Sequence, residues 1–125
     1  MKAASSVAVV GAGVAGCAAA IGLKLLGLEV TLFEAVAEPQ PIGAGLLLQP
    51  TGQQVLAHLG LLQTALDHGA ELDGLLGDTA EGEVVLDMSY HRHTPGAFGL
   101  GLQRGVLMGL LWQRVRELDI PWHCG

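Results

Sequence analysis

This sequence is short of aromatic rings, of basic charge and of cysteine. Aromatic residues make up 4% of its 125 positions, Lys and Arg number 6 against 12 Asp and Glu, and there are 2 cysteines. With a formal charge of -6 and no basic cluster, the chain has nothing with which to neutralise a phosphate backbone. That excludes a nucleic-acid partner, and the same shortage argues against an anionic membrane surface. Cys17 and Cys124 stand at opposite ends, so there is no secreted disulfide framework and a cytoplasmic location is expected. A charged fraction of 14% is too low for a solvated tail. What is plentiful is apolar residues, at 50%, and glycine, at 19, with no three-residue period. Together they describe one compact, glycine-rich domain.

The apolar run from Val7 to Leu23, preceded by Lys2, admits two readings. As one continuous segment it is a targeting or membrane stretch, and Val14-Ala15-Gly16-Cys17 resembles a lipoprotein processing box. As strand, turn, helix and strand it accounts for more. Ser5 to Val10 is a short β-branched run read as a buried strand, Val14 to Leu26 a helix stopped by Gly27, and Glu29 to Glu34 an alternating second strand. The intervening helix makes the two strands parallel.

In the second reading the glycines of Gly11-Ala12-Gly13-Val14-Ala15-Gly16 have separate tasks. Gly11 permits a tight turn, Gly13 lets backbone approach a diphosphate, and Gly16 removes a side chain where helix meets strand. The helix start, Val14 and Ala15, then offers unpaired N–H groups and a partial positive charge, so an acidic chain can hold an anion without basic side chains. Glu34, followed by Ala35, stands where a carboxylate accepts the hydroxyls of an adenosine ribose and repels a 2′-phosphate. The four features together are far more specific than a glycine triplet alone.

The string Gly11, Gly13, Gly16, Ala20, Leu23, Gly27, Val30, Glu34 resembles the FAD-binding half of the glutathione-reductase-like flavoproteins. The next segment, Ile42-Gly43-Ala44-Gly45-Leu46-Leu47-Leu48-Gln49-Pro50 followed by Val55 to Leu61, is similar to the corresponding stretch of the para-hydroxybenzoate-hydroxylase-like, single-component FAD monooxygenases. The resemblance implies that Gly43, Ala44, Gly45 and Leu46 lie along the flavin. Many relatives carry an arginine near this run, whereas Glu38-Pro39-Gln40-Pro41-Ile42 holds no cation. Read locally, Pro50 and Thr51 stand at a helix start, Thr51 with Gln54 has the spacing of a capping box, and Gly60 ends the helix.

Further on, Glu71 to Leu76 and Glu83 to Ser89 are expected to form a hairpin. His91 and His93 would share one face of a strand, but no third ligand stands at a metal-binding spacing, so no metal site is assigned. Gly99 to Leu107 resembles the start of the family's next helix, with Gln103 in place of the family's histidine. Leu107, Leu111, Val115 and Leu118 form the apolar stripe of that helix. Arg104 stands at its positive end, where a cation is disfavoured unless an anion is near, and the resemblance makes that anion a FAD phosphate. Ile120 to Cys124 enters a further strand.

The fold class expected is α/β, a Rossmann-like βαβ FAD-binding domain of the glutathione-reductase-like type, with a β-hairpin starting the substrate side. Residues 1–125 are read as an N-terminal fragment, because the family's later motifs are missing and so short a sheet would leave apolar surface uncovered. The resemblance implies FAD as cofactor and NAD(P)H as co-substrate, a flavin hydroperoxide, and hydroxylation of a small, aromatic substrate. The partners it implies are that substrate, the remainder of the polypeptide and, in some members, a second copy in a homodimer. Two alternatives stay open: another FAD oxidoreductase (reductase, epoxidase or halogenase), or a non-catalytic nucleotide-binding module. No residue is assigned a catalytic role.

Overall fold

The computed structural model describes residues 5–40 and 42–125. Lys2 and Pro41, which entered the sequence argument, lie outside the described residues. Strand β1 (Ser6–Val10), helix α1 (Val14–Leu25) and strand β2 (Glu29–Glu34) follow in the expected order. The run that a targeting segment needs unbroken is therefore divided, and no helix among the described residues is long and apolar enough to cross a membrane. β2 lies parallel to β1, with Val7 opposite Val30 and Val9 opposite Leu32. A third parallel strand, β8 (Trp122–Cys124), pairs with the other side of β2.

β1 is not the buried strand anticipated. It forms one edge of the sheet, and alternation sends Ser6, Ala8 and Val10 to an open face, with Val10 85% exposed. The core lies on the other face, where Cys17, Ala20 and Ile21 of α1 meet Leu32 and the Leu111 and Val115 side chains of α5 (Arg104–Glu117). Each large aliphatic side chain fully buried there contributes about 1.5–3 kcal/mol.

Three helices end alike, and the device is local. After α1, Gly27 (φ +85°) donates to Lys24 O and Leu28 to Leu23 O, the two backward bonds that a left-handed residue makes available. Gly60 (φ +74°) and Leu61 repeat this after α2 (Pro50–His58), and Asp119 (φ +50°) with Ile120 after α5. α2 starts at Pro50 as expected, but its cap departs from expectation. Pro50 opens the helix with Gln49 as its N-cap, so Thr51 is already helical and forms no capping box with Gln54. Gln53 is the polar residue buried here, its Nε2 donating to Leu48 O at 3.2 Å and Phe98 O at 2.9 Å.

A second sheet is antiparallel, in the order β3 (Gly45–Leu48), β7 (Gly99–Gln103), β4 (Ala70–Leu72). Two corrections follow from it. Gly99 to Gln103 leads into a helix, as expected, but is first the central strand of this sheet. The segment Glu71 to Leu76 is not one strand: it breaks at Asp73, Ala70–Leu72 joining β7 while β5 (Gly74–Asp78) pairs with β6 (Val84–Ser89). Gly74 permits the exchange, since a Cβ there would overlap the Met88 carbonyl. A short helix, α3 (Leu62–His68), had no counterpart in the sequence reading; it packs Ala65 into the core directly after Leu61. His91 and His93 lie on a single helical turn, α4 (Tyr90–His93), and not on a strand. His91 Nε2 sits 3.1 Å from Asp73 Oδ1, and among the described residues no three metal-ligating side chains converge.

Candidate functional site

The turn between β1 and α1 is built by close backbone approach. Gly11 takes φ +100°, unfavourable for any side chain, and its N–H donates to Phe33 O at 2.7 Å. A Cβ on Gly16 would overlap the Gly11 carbonyl oxygen, so the first turn of α1 can press on the strand end only because residue 16 has no side chain. Gly13 is the extended N-cap of α1 and makes no side-chain cap bond. A Cβ on Gly13 would meet nothing within 4 Å. The space beside it is open, and the N–H groups of Val14 and Ala15 at the helix start carry the positive end of its dipole.

Glu34 closes the turn from the end of β2. Its Oε2 accepts from the Ala12 N–H at 2.8 Å and its Oε1 from the Val36 N–H at 2.9 Å. The amides of Val36 and Ala12, with a smaller contribution from Ala35, hold its carboxyl below the ordinary carboxylate value. Glu34 is thus ionised and fixed in orientation at neutral pH, and each oxygen keeps a lone pair for a further donor.

Arg104 arrives from a third element. Its N–H donates to Ala44 O at 3.2 Å, at the first position of α5, and its side chain lies on Gly43. Gly43 has φ +137°, and a Cβ there would come within 2.7 Å of Arg104 Cδ. Ala12, Gly13, Glu34 and Arg104 line one hollow of about 300 Å³, together with Val36, Met108 and Trp112. Ala35 adjoins it through Glu34. Gly45 and Leu46 are elsewhere: they lie in β3 and line a separate hollow with His68, Leu72 and Gln103.

Sequence reasoning missed two contributors. Trp112 Nε1 donates to Ala12 O at 3.0 Å, and Met108 lines the same hollow one turn earlier on α5. Their helical period was legible, but not that this face of α5 meets the glycine turn. Cys17, the residue that a lipoprotein reading would expose, is fully buried, with Sγ 3.3 Å from the same Ala12 oxygen. Burial pushes its thiol up to about 11.

A parallel βαβ unit with a side-chain-free turn, a helix start and a strand-end carboxylate around one hollow defines an α/β nucleotide-binding domain. A family model described as FAD binding domain matches residues 4–114, and the chain belongs to that family. The FAD-dependent urate hydroxylase of Klebsiella pneumoniae is 43% identical over 53 residues, which are 42% of this chain and 14% of that protein. The tetrameric form of 2-methyl-3-hydroxypyridine-5-carboxylic acid oxygenase superposes with a TM-score of 0.83 at 28% identity, covering 99% of this chain and 32% of that one. Klebsiella pneumoniae HpxO complexed with FAD and uric acid superposes with a TM-score of 0.71 at 25% identity, covering 98% and 31%. The chain therefore spans 14% of that curated relative and about a third of each of these solved structures.

The residues present fit the group that membership implies. Gly13 and Glu34 line a hollow at the small end of ligand pockets, room for part of a dinucleotide. Arg104 supplies a cation on the same hollow, complementary to a diphosphate.

Proposed function

We propose that residues 1–125 are the N-terminal portion of the FAD-binding domain of an NAD(P)H-dependent monooxygenase that hydroxylates a small aromatic or heteroaromatic substrate. Supporting this are family membership over residues 4–114, the relative named a FAD-dependent urate hydroxylase, the oxygenase named above, and the superposable structure that holds FAD and uric acid. The observation that carries it is the convergence of Gly13, Glu34 and Arg104 on one hollow from three separate elements. In this reading Gly11 and Gly16 shape the turn, Gly13 lets its backbone approach the diphosphate, and the amides at Val14 and Ala15 face its charge. Glu34, held by Ala12 and Val36 and adjoined by Ala35, accepts the ribose hydroxyls, while Arg104 neutralises phosphate. Gly43 and Ala44 carry the chain from that hollow to Gly45 and Leu46, along which the flavin ring would lie.

When bound, FAD reduced by NAD(P)H supplies the chemistry that places one atom of dioxygen on the substrate. In this reading this chain's residues bind and orient it, and none of them is assigned as acid, base or nucleophile. Binding is tested by the visible spectrum of the purified protein after gel filtration with added FAD. A retained flavin absorbance is expected, and a colourless protein that takes up no FAD overturns the reading. Hydroxylation is tested on the full-length polypeptide, because residues 1–125 alone are expected to be inactive, by substrate-dependent consumption of NAD(P)H and dioxygen. FAD retention without any such consumption across aromatic and heteroaromatic acids, phenols and purines would leave FAD binding standing and overturn the monooxygenase assignment.

A further inference from the structure

Resting on the FAD-binding reading, we infer that Trp112 is a positioning residue for the diphosphate: it aims the Gly13 amide by holding the peptide carbonyl in front of it. The Ala12 carbonyl accepts from Trp112 Nε1 at 3.0 Å and lies 3.3 Å from Cys17 Sγ. The Ala12 N–H is held separately by Glu34 Oε2 at 2.8 Å. Both sides of residue 12 are thereby pinned, although Ala itself contributes only a methyl group.

The consequence follows from peptide planarity. No cis peptide occurs among the described residues, and in a trans peptide C=O and the next N–H point in opposite directions. The Ala12 carbonyl is directed inward, toward the fully buried Cys17 and the indole on α5. The Gly13 N–H is therefore directed the opposite way, away from Cys17 and the indole, and the turn is open on its Cβ side too, where a Cβ of Gly13 would meet no atom within 4 Å. A flip of this one peptide would withdraw the amide and present a carbonyl oxygen to an incoming anion. Glycine at 13 makes such a flip sterically easy, so the turn needs an external restraint. Trp112 supplies it from 100 residues away in sequence, with the weaker thiol donor of Cys17 beside it.

Trp122 provides an internal control. It packs on Trp112 with ring centroids 5.8 Å apart, but its buried Nε1 has no hydrogen-bond partner among the described residues.

The test is calorimetric titration of the protein, freed of co-purifying nucleotide, with ADP, FAD and adenosine. Trp112→Phe keeps the ring and removes the N–H. It is expected to weaken ADP and FAD roughly three- to tenfold, the effect of one lost neutral hydrogen bond, and to leave adenosine unchanged because adenosine has no diphosphate. Cys17→Ala should weaken ADP less than Trp112→Phe, and Trp122→Phe should leave ADP affinity as it is. Unchanged adenosine affinity also shows that the variant is folded. Equal losses for ADP and adenosine, or an ADP affinity indifferent to Trp112→Phe, overturn the inference while leaving FAD binding intact. A wild-type protein that binds neither ADP nor FAD overturns the underlying reading as well.

Discussion

The β1–α1–β2 unit and the β5–β6 hairpin use the same glycine-rich, aliphatic vocabulary to opposite effect. In the first, Gly16 brings helix backbone against the Gly11 carbonyl, and Cys17, Ala20, Ile21 and Leu32 are sealed beneath it. In the second, Gly74 brings strand against strand, yet the hairpin forms a two-stranded sheet among the described residues, with Leu76 70% and Val85 69% exposed. An isolated two-stranded ribbon is marginal in water. The lesson is one of division: the nucleotide-facing geometry rests on the packed unit, where small displacements are resisted, and the hairpin contributes surface but no restraint to the hollow.

The contrast is most readily broken at Gly16. Gly16→Ala puts a methyl group into the Gly11 carbonyl, so we expect a loss of about 1–3 kcal/mol of stability and no measurable ADP binding by calorimetry. Near-normal ADP affinity would show that the close approach is dispensable. Glu34→Ala comes next, leaving the Ala12 and Val36 amides without their acceptor; ADP affinity should fall at least tenfold, roughly the effect of losing a charged hydrogen-bond partner.

The protonation of Glu34 gives that prediction a sign. Its carboxyl is held below the ordinary value of 4.5 by the Val36 and Ala12 amides. A depressed folded value means that the contribution is complete above the ordinary value and is lost as pH falls through the depressed one. Wild-type affinity for FAD, whose diester diphosphate does not titrate in this range, should stay flat from about pH 8 to about pH 5 and decline only below that range. A decline that begins near neutrality would contradict the assigned role.

Smaller effects sharpen the contrast. Gly43→Ala forces a side chain to adopt φ +137° and crowds Arg104 Cδ, which should cost about 1 kcal/mol in urea denaturation and displace the cation from the hollow. Leu76→Thr, on the open hairpin, should change stability by no more than about 0.5 kcal/mol and leave ADP affinity untouched. A large effect there would mean that the two regions are coupled after all.

Much of the site was legible because its signals are local. A glycine that must adopt positive φ, a helix that must stop and a carboxylate at a strand end each depend on neighbours a few residues away, and Gly11, Gly27, Gly60 and Glu34 stand where the sequence placed them. The errors came where partner choice decides. Thr51 had the spacing of a cap, but Pro50 started the helix first. Glu71 to Leu76 had strand character, but its two halves found different partners. β7 looked like a lead-in to a helix because its Gly-Leu alternation has no signature of its own; it became a central strand because β3 and β4 flank it.

By itself, then, the sequence determined the βαβ order, the empty positions at Gly11, Gly13 and Gly16, and the charge at Glu34, since backbone conformation and strand period follow from residues in immediate succession. Only the tertiary structure decided that Arg104 lies on Gly43, that Gly45 and Leu46 face a different hollow, and that the Trp112 indole meets the Ala12 carbonyl. Those pairings join segments far apart along the chain, and which atoms meet there depends on how helices and sheets pack.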